Sequence, residues 1–270
     1  MTIAMSSAFS LVLGDENPNS PLVGYHNVIT STNIAATSSN ASYPVSNLAN
    51  PSTAPLQEWR GTSAVLHYLT ATLSGSVEVD YVAVAAHNFG SKQMQISVEA
   101  NIGAGWVQVA DALLLPTDSP LIVRFTPDYY TGVRLKLGAG TAAPRCAVMY
   151  VGKLLPLQRN IYVGHTPITL ARKRNVVTGQ NEEASFLGRI TLGGFASNGV
   201  SLQNLTPGWY RSKMHPFIQA AESTPFFFAW RPQGYPREVG FAWFTGELPV
   251  PKNQRSNGMM QVDFNMRAMI

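Results

Sequence analysis

Short apolar runs alternate with turn-forming residues through the first 155 residues. The runs are rich in β-branched and aromatic residues, which predicts strands at residues 64–73, 77–86, 94–100, 106–109, 121–125, 132–137 and 146–154. Around Ile96 and Val98, apolar and polar positions alternate, as in a strand with one face in a core and the other in water. Residues 31–54 are mostly Ser, Thr, Asn and Pro and are predicted to be irregular. This spacing of short strands is typical of a β-sandwich or barrel.

The pattern changes after residue 155. Strands are predicted there at residues 160–170, 184–192, 225–230, 239–247 and 259–267, with a turn at 172–179. One helix is predicted at residues 209–222, and Pro216 should kink it because proline has no amide hydrogen to donate. The sequence therefore predicts a mostly all-β chain of two domains, residues 1–155 and residues 156–270.

Charge divides the chain at the same point. Residues 1–155 hold seven Lys or Arg against nine Asp or Glu, giving −2, and residues 156–270 hold twelve against six, giving +6. Only 13% of the residues are charged, whereas about 25% is usual for soluble proteins. The cores of large protein interfaces are depleted of charge in the same way. No apolar run approaches the roughly 20 residues that a membrane-spanning helix needs.

Chemical motifs are scarce. The sequence lacks a phosphate loop, a dinucleotide-binding G-x-G-x-x-G, an H-E-x-x-H pair and a G-x-S-x-G elbow, so we expect no enzyme activity, cofactor or metal. The single Cys146 cannot form an intramolecular disulfide and is expected to be a buried, small hydrophobic residue. The first 14 residues lack the basic segment of a secretory signal, which predicts synthesis in the cytoplasm.

Four residues form a candidate ligand site at one end of the predicted sandwich. His87 and Asn88 directly follow the apolar run 81–86, where end loops often carry ligand contacts. They could instead hold the strand end through hydrogen bonds to the loop backbone. With Trp59 and Arg60, they offer the aromatic and polar groups that sugar sites use, so a glycan contact is the second interpretation.

A second candidate set is an assembly interface. Aromatic residues are dense between residues 209 and 244; most should be core, but this density with scarce charge also fits an interface. The basic run 172–174 has no aromatic interleaving and no wide basic stripe, so we predict an interface ion pair or a solvated turn there rather than nucleic-acid binding. The candidate interface residues are Arg172, Lys173, Arg174, Phe226, Trp230 and Trp243.

Three separated pieces of the first half occur in a recognisable order. They are Tyr43-Pro44-Val45-Ser46-Asn47-Leu48, the pair Trp59-Arg60, and a strand that closes on His87-Asn88-Phe89-Gly90. Over about residues 35–155, they resemble the discoidin-type jelly-roll module of bacteriophage tail proteins. The resemblance implies a jelly-roll β-sandwich for residues 1–155, with residues 1–34 as an N-terminal arm and first strands. Related jelly rolls bind sugars or membranes through end loops, and others are assembly domains.

The second half is similar to the ring-forming β domains of long-tailed phage tail tips. The similar segments are Asn181-Glu182-Glu183-Ala184, Leu187-Gly188-Arg189-Ile190 and residues 225–240. This similarity implies a β-barrel or split-barrel-like domain with a short helix for residues 156–270, in a baseplate component akin to the distal tail protein. Distal tail proteins usually carry the ring-forming domain first, and this chain has the reverse order. Another kind of minor tail protein therefore remains an alternative.

Together the resemblances imply a non-enzymatic structural protein of the virion, made in the host cytoplasm and located between tail tube and hub or fibres. The expected partners are the tube, hub, tape-measure and fibre proteins, and copies of itself in a ring of threefold or sixfold symmetry. No specific nucleic acid and no membrane span are expected. The alternative function is a carbohydrate-binding adhesin that attaches the virion to a host surface glycan through Trp59, Arg60, His87 and Asn88.

Overall fold

The structure is a computed structural model that describes residues 2–7, 9, 17–254 and 256–269. Its regular elements are mostly strands, and short 3₁₀ helices lie at Val45–Ala49 and Pro55–Gln57. The strands of the first half are β1 (Thr2–Met5), β2 (Leu22–Gly24), β3 (Ile34–Ala36), β4 (Trp59–Arg60), β5 (His67–His87), β6 (Gln95–Asn101), β7 (Trp106–Leu114), β8 (Leu121–Leu137) and β9 (Arg145–Gly152).

Two long strands, β5 and β8, each run through both layers of a β-sandwich. The first part of β5 pairs with β3 and with the end of β8, which continues the layer through β6 to β7. The last part of β5 pairs with β9 and with the start of β8, and β4 and β1 complete this second layer. The register of β5 against β8 shifts between Thr72 and Val77 and again between Val79 and Tyr81, where the strands pass from one layer to the other.

The core of the sandwich lies between these layers. Both layers contribute buried apolar residues to it, among them Leu69, Val82, Ile96, Phe125 and Met149. The prediction of a mostly β chain with a jelly-roll sandwich in its first half is confirmed. Cys146 is buried and free, as predicted for a small hydrophobic residue.

The layer that contains β9 is buried on both faces. In β5, Val82 and Val84 belong to the sandwich core, whereas Tyr81, Ala83 and Ala85 belong to a separate cluster on the opposite face. This explains the unbroken apolar run 81–86, because a strand covered on both sides has no face for polar residues. The cluster on the opposite face joins the two halves of the chain and also contains Ile3, Leu22, Ile122, Ala147, Val148, Tyr150, Leu154, Phe227, Ala229, Val239 and Phe241.

A second sheet contains the strands of the second half. Its strands are β10 (Leu155–Pro156), β11 (Arg172–Gln180), β12 (Phe186–Leu205), β13 (Phe226–Ala229), β14 (Val239–Thr245), β15 (Lys252–Asn253), β16 (Met260–Met269) and the N-terminal β2. Their order is β10-β2-β13-β14-β16-β12-β11, with β15 beside β16. Among the described residues, the two end strands β10 and β11 do not pair with each other.

One N-terminal strand belongs to this second sheet. Strand β2 pairs with β10 on one side and with β13 on the other, so Val23 lies opposite both Leu155 and Phe228. The assignment of all residues 1–34 to the first domain is therefore corrected. A short, fully buried strand such as Leu22–Gly24 shows no alternation of apolar and polar residues, so its sequence does not indicate which sheet it joins.

The predicted helix is present and irregular. It consists of α1 (Pro207–Trp209), a π-helical turn (Tyr210–Met214) and α2 (His215–Ala221). The π turn ends at Met214, two residues before Pro216, whose missing amide hydrogen disfavours an uninterrupted α-helical ladder. Phe217, Ile218 and Ala221 pack into the core of the second half.

Several sequence-based elements were wrong. The strands predicted at residues 64–73 and 77–86 belong to one strand, β5, which continues through Gly75, and those predicted at 121–125 and 132–137 belong to β8, which continues through Pro127. Both residues lie at or near the places where the pairing register shifts. Residues 160–170 contain no strand, and residues 172–179, predicted as a turn, form most of β11. Strand β12 also continues through Gly193, which was predicted to end it, because Asn175 of β11 pairs with that glycine.

Candidate functional site

The four predicted glycan residues lie together at one edge of the sandwich. Strand β9 pairs with β4 on one side and β5 on the other, so Cys146 lies opposite both Trp59 and His87. Arg60 lies opposite Arg145, whose backbone N–H donates to Oδ1 of Asn88 at 2.9 Å. The chain thus brings together four residues separated by up to 29 positions.

Three of these residues are buried and fully engaged within the protein. Trp59 has no exposed surface, and its Nε1 donates to Ser38 O at 3.1 Å. The Nε2 atom of His87 contacts Ser119 O at 3.1 Å, and its Nδ1 accepts from the Phe89 N–H at 3.2 Å. Burial lowers the pKa of His87 from 6.5 to about 4. A direct glycan contact through Trp59 or His87 is therefore corrected, because neither has a free surface with which to touch a sugar.

Asn88 has the same structural role. Its Nδ2 donates to Ala143 O at 3.0 Å, and its Oδ1 accepts from the Arg145 N–H, so the amide clamps the loop before β9. This is the alternative that the sequence left open for His87 and Asn88. The glycine of the same motif is equally constrained, since a Cβ at Gly90 would lie 2.3 Å from Thr117 O.

Arg60 is the one member of this set with substantial exposure. Its Nε contacts Oε1 of buried Glu58 at 2.6 Å, and its guanidinium lies 3.7 Å from the ring centre of Tyr43. Arg145 approaches the same Glu58 oxygen at 3.8 Å, and half of its side chain is exposed. Tyr43, Arg60 and Arg145 therefore form a cationic and aromatic surface on this edge. Sequence analysis missed the contribution of Arg145, because only the pairing of β9 with β4 places it there.

A more prominent surface is a hairpin that leaves the second sheet. Residues 196–205 of β12 pair with β16, whereas its earlier residues pair only with β11 among the described strands. Ala196 is the point of change, because it pairs with both Arg172 of β11 and Ala268 of β16. We call residues 172–194 the hairpin arm. Every residue of β11 is exposed, and each strand of the arm extends about 30 Å at 3.4 Å per residue.

The hairpin arm exposes several apolar side chains. Val177 lies directly opposite Ile190, so these two share a face, and Leu192 lies where the register of β11 against β12 shifts. Their exposed fractions are 54%, 66% and 70%. Phe186 and Leu187, near the tip, are also mostly exposed. An isolated two-stranded hairpin is only marginally stable in water, and a contiguous exposed apolar surface usually marks an interaction site.

The predicted assembly residues differ in how far they are exposed. Arg172, Lys173 and Arg174 lie exposed at the base of the hairpin arm. Phe226 is fully buried in the core, so its assignment to an interface is corrected. Trp230 is half-buried and stacks on Tyr235 with ring centres 5.6 Å apart. Trp243 is 38% exposed, so part of its ring is accessible to a partner.

No group of three or more His, Cys, Asp or Glu residues in the described part of the chain could hold a metal ion. None of the helices within the described ranges is both long and apolar enough to cross a bilayer.

Comparisons with known proteins found similarity in three-dimensional structure only. No protein-family model and no curated protein matches the sequence. Chitosan-binding module 1 of a chitosanase/glucanase from Paenibacillus sp. IK-5 is 17% identical, with a TM-score of 0.40 over 47% of this chain and 99% of the module. The family 32 carbohydrate-binding module of Clostridium perfringens NanJ, solved with galactose, is 15% identical, with a TM-score of 0.40 over 48% and 98%. About half of this chain thus lies outside these similarities.

Proposed function

We propose that the protein is a non-enzymatic structural component of a long bacteriophage tail, at the tail tip or baseplate. It acts by protein–protein contacts between the tube and the hub or fibres. The observation that carries this proposal is the hairpin arm, which holds Val177, Ile190 and Leu192 in water on a hairpin with no core of its own. Burial against a partner would remove this apolar surface from water and stabilise the arm.

The partner proposed for the hairpin arm is a second copy of the chain. The arm belongs to the half with a net charge of +6, and its base carries Arg172, Lys173 and Arg174. The sandwich belongs to the half with a net charge of −2, and Asp111 and Asp128 lie on its surface. The charges favour contact between the arm of one copy and the sandwich of the next. Contacts of this head-to-tail kind form a ring when the rotation between successive copies closes, which is what a ring of threefold or sixfold symmetry requires.

Two measurements test this function. Antibody labelling of purified phage tails by electron microscopy should locate the protein at the tip, and light scattering of the purified chain should give a multiple of its 29.3 kDa mass. A protein that is absent from tails would contradict the tail assignment. A protein that stays monomeric at its highest soluble concentration would contradict self-assembly.

A second candidate function is carbohydrate binding by the sandwich. It is favoured by the surface of Tyr43, Arg60 and Arg145, where the Arg60 guanidinium stacks over the Tyr43 ring and Arg145 approaches the same Glu58 carboxylate as Arg60. The similar solved structures described above are carbohydrate-binding modules of other proteins. An acidic sugar fits this surface best, because the Arg60 and Arg145 guanidinium groups share one carboxylate, that of Glu58, and retain donors suited to a second.

A glycan array tests this candidate with the full chain. Binding to acidic glycans should be lost in Arg145→Ala and in Tyr43→Ala. It should persist in Lys136→Ala, which removes a cation from the other sandwich layer. If the wild-type protein binds no glycan on the array, or if all the variants bind equally, carbohydrate binding by this surface is contradicted and assembly remains the proposed function.

A further inference from the structure

A cleft opens between the sandwich and the helix of the second half. Its volume is about 470 Å³, within the roughly 300–1,000 Å³ of most small-molecule sites, and it lies between two packed halves, where such sites are common. Its walls come from four segments: the residues after β2, the bend of β5, the connection from β9 to β10, and the helix. The cleft is on a different part of the molecule from the hairpin arm and from the surface around Tyr43.

Two half-buried aromatic residues form fixed walls of this cleft. Tyr25 packs against Phe217 of α2, with ring centres 5.4 Å apart. Trp209 packs against the same core of the second half. Core residues of the second half pack against both rings, so a ligand can stack on their flat apolar surfaces without the entropy cost of ordering a mobile side chain.

Charge at the cleft favours an anion. Lys153 Nζ lies 2.5 Å from Oε1 of Glu78, so these two charges largely neutralise each other. Lys213 lines the cleft from the π-helical turn and is exposed, and none of the ion pairs found among the described residues involves it. The cleft therefore carries an excess of about one positive charge. Single π turns within helices often occur at functional sites.

We propose that this cleft binds a small monoanion with a flat apolar face, whose ring stacks on Trp209 and whose carboxylate meets Lys213. Two kinds of molecule share this chemistry: a hexuronic acid, whose pyranose ring has an apolar face, and an aromatic carboxylate. Stacking on an indole and one ammonium–carboxylate contact are enough for weak but selective binding.

Calorimetric titration of the full chain tests the proposal. Glucuronate and benzoate serve as the two anionic probes, and glucose and benzyl alcohol as their neutral counterparts. At least one anion should bind about tenfold more tightly than its neutral counterpart, a difference of about 1.4 kcal/mol. Tighter binding of glucuronate identifies a sugar acid as the ligand class, and tighter binding of benzoate identifies an aromatic acid.

Matched variants on the same helix complete the test. Lys213→Ala should remove the preference for the anion, and Arg211→Ala, an exposed cation that does not line the cleft, should retain it. No binding of either anion, or an unchanged preference in Lys213→Ala, would overturn the proposal. Light scattering on the same samples reports self-assembly separately, so failure of the cleft and failure of the proposed function are distinguishable.

Discussion

Tyr150 of β9 meets Phe227 of β13 edge to face, with ring centres 5.4 Å apart and planes inclined by 74°. The Tyr150 hydroxyl also donates to Pro225 O at 2.8 Å. A residue of the sandwich thus packs and hydrogen-bonds into the second sheet. The contact lies within the shared apolar cluster, so the two halves of the chain are joined by a core and not only by a linker.

This shared core predicts a single unfolding transition. Phe227→Ala should lower the free energy of unfolding by about 3–5 kcal/mol, because the lost ring leaves a cavity between the two sheets. Both halves should unfold together in wild type and variant. Urea unfolding followed by tryptophan fluorescence and by circular dichroism measures this, with Leu56→Ala on the surface as a near-neutral control. Two separate transitions in the wild-type protein would show that the halves are independent.

Stability should fall in acid because of His87. Burial lowers its pKa from 6.5 to about 4, and Nδ1 already accepts from the Phe89 N–H, so a second proton would break that bond. The unfolded chain binds the proton more readily. The stabilisation from neutral His87 is therefore complete above about pH 6.5 and is lost as the pH falls towards 4, a change of roughly 3 kcal/mol.

Urea unfolding at about pH 7 and about pH 4.5 measures this dependence. His87→Gln keeps one donor and one acceptor but does not titrate, so it should show a smaller loss in acid than the wild type. His215→Gln changes an exposed histidine and should keep the wild-type dependence. Equal losses in wild type and His87→Gln would rule out His87 as the source.

The motif that ends β5 needs its glycine for a close approach between backbones. A Cβ at Gly90 would lie 2.3 Å from Thr117 O, so Gly90→Ala should cost about 3 kcal/mol through forced backbone shifts. Gly75→Ala, where a Cβ meets nothing within 4 Å, should change stability by less than about 0.5 kcal/mol. Thermal unfolding of the two variants gives the comparison. Equal stability of the two variants would show that the backbone around Thr117 can move away from the added Cβ at no measurable cost in free energy.

Much of the β architecture could be predicted, because a strand with one buried face shows apolar residues at every second position of the sequence. The alternation in β16 matches its burial, with Val262, Phe264 and Met266 inside and Asp263 and Asn265 exposed. In β6 the alternation misled, because Glu99 is covered and paired with Arg134 at the neighbouring position of β8. Alternation indicates which side a residue faces but not whether that side meets water.

The candidate sites were harder to predict than the strands. The convergence of Trp59 with His87 followed from motif order, but their burial depends on Ser119, Ser38 and other loop partners that no local pattern reveals. The sequence predicted a turn at residues 172–179 and a strand at 184–192, and so did not indicate that the hairpin arm is a pair of strands. Val176, Val177 and Thr178 are β-branched and would have indicated a strand, had the basic residues before them not suggested a solvated turn.

The most direct test of assembly through the hairpin arm is the molar mass of arm variants by light scattering. Val177→Lys with Ile190→Lys places two charges on the apolar face, and the matched control Thr178→Lys with Thr191→Lys places two on the opposite face of the same hairpin. The wild type and the control should have a multiple of the 29.3 kDa monomer mass, and the apolar-face variant should have the monomer mass. An apolar-face variant that keeps the wild-type oligomer, or a wild type that is itself monomeric, would contradict assembly through the hairpin arm.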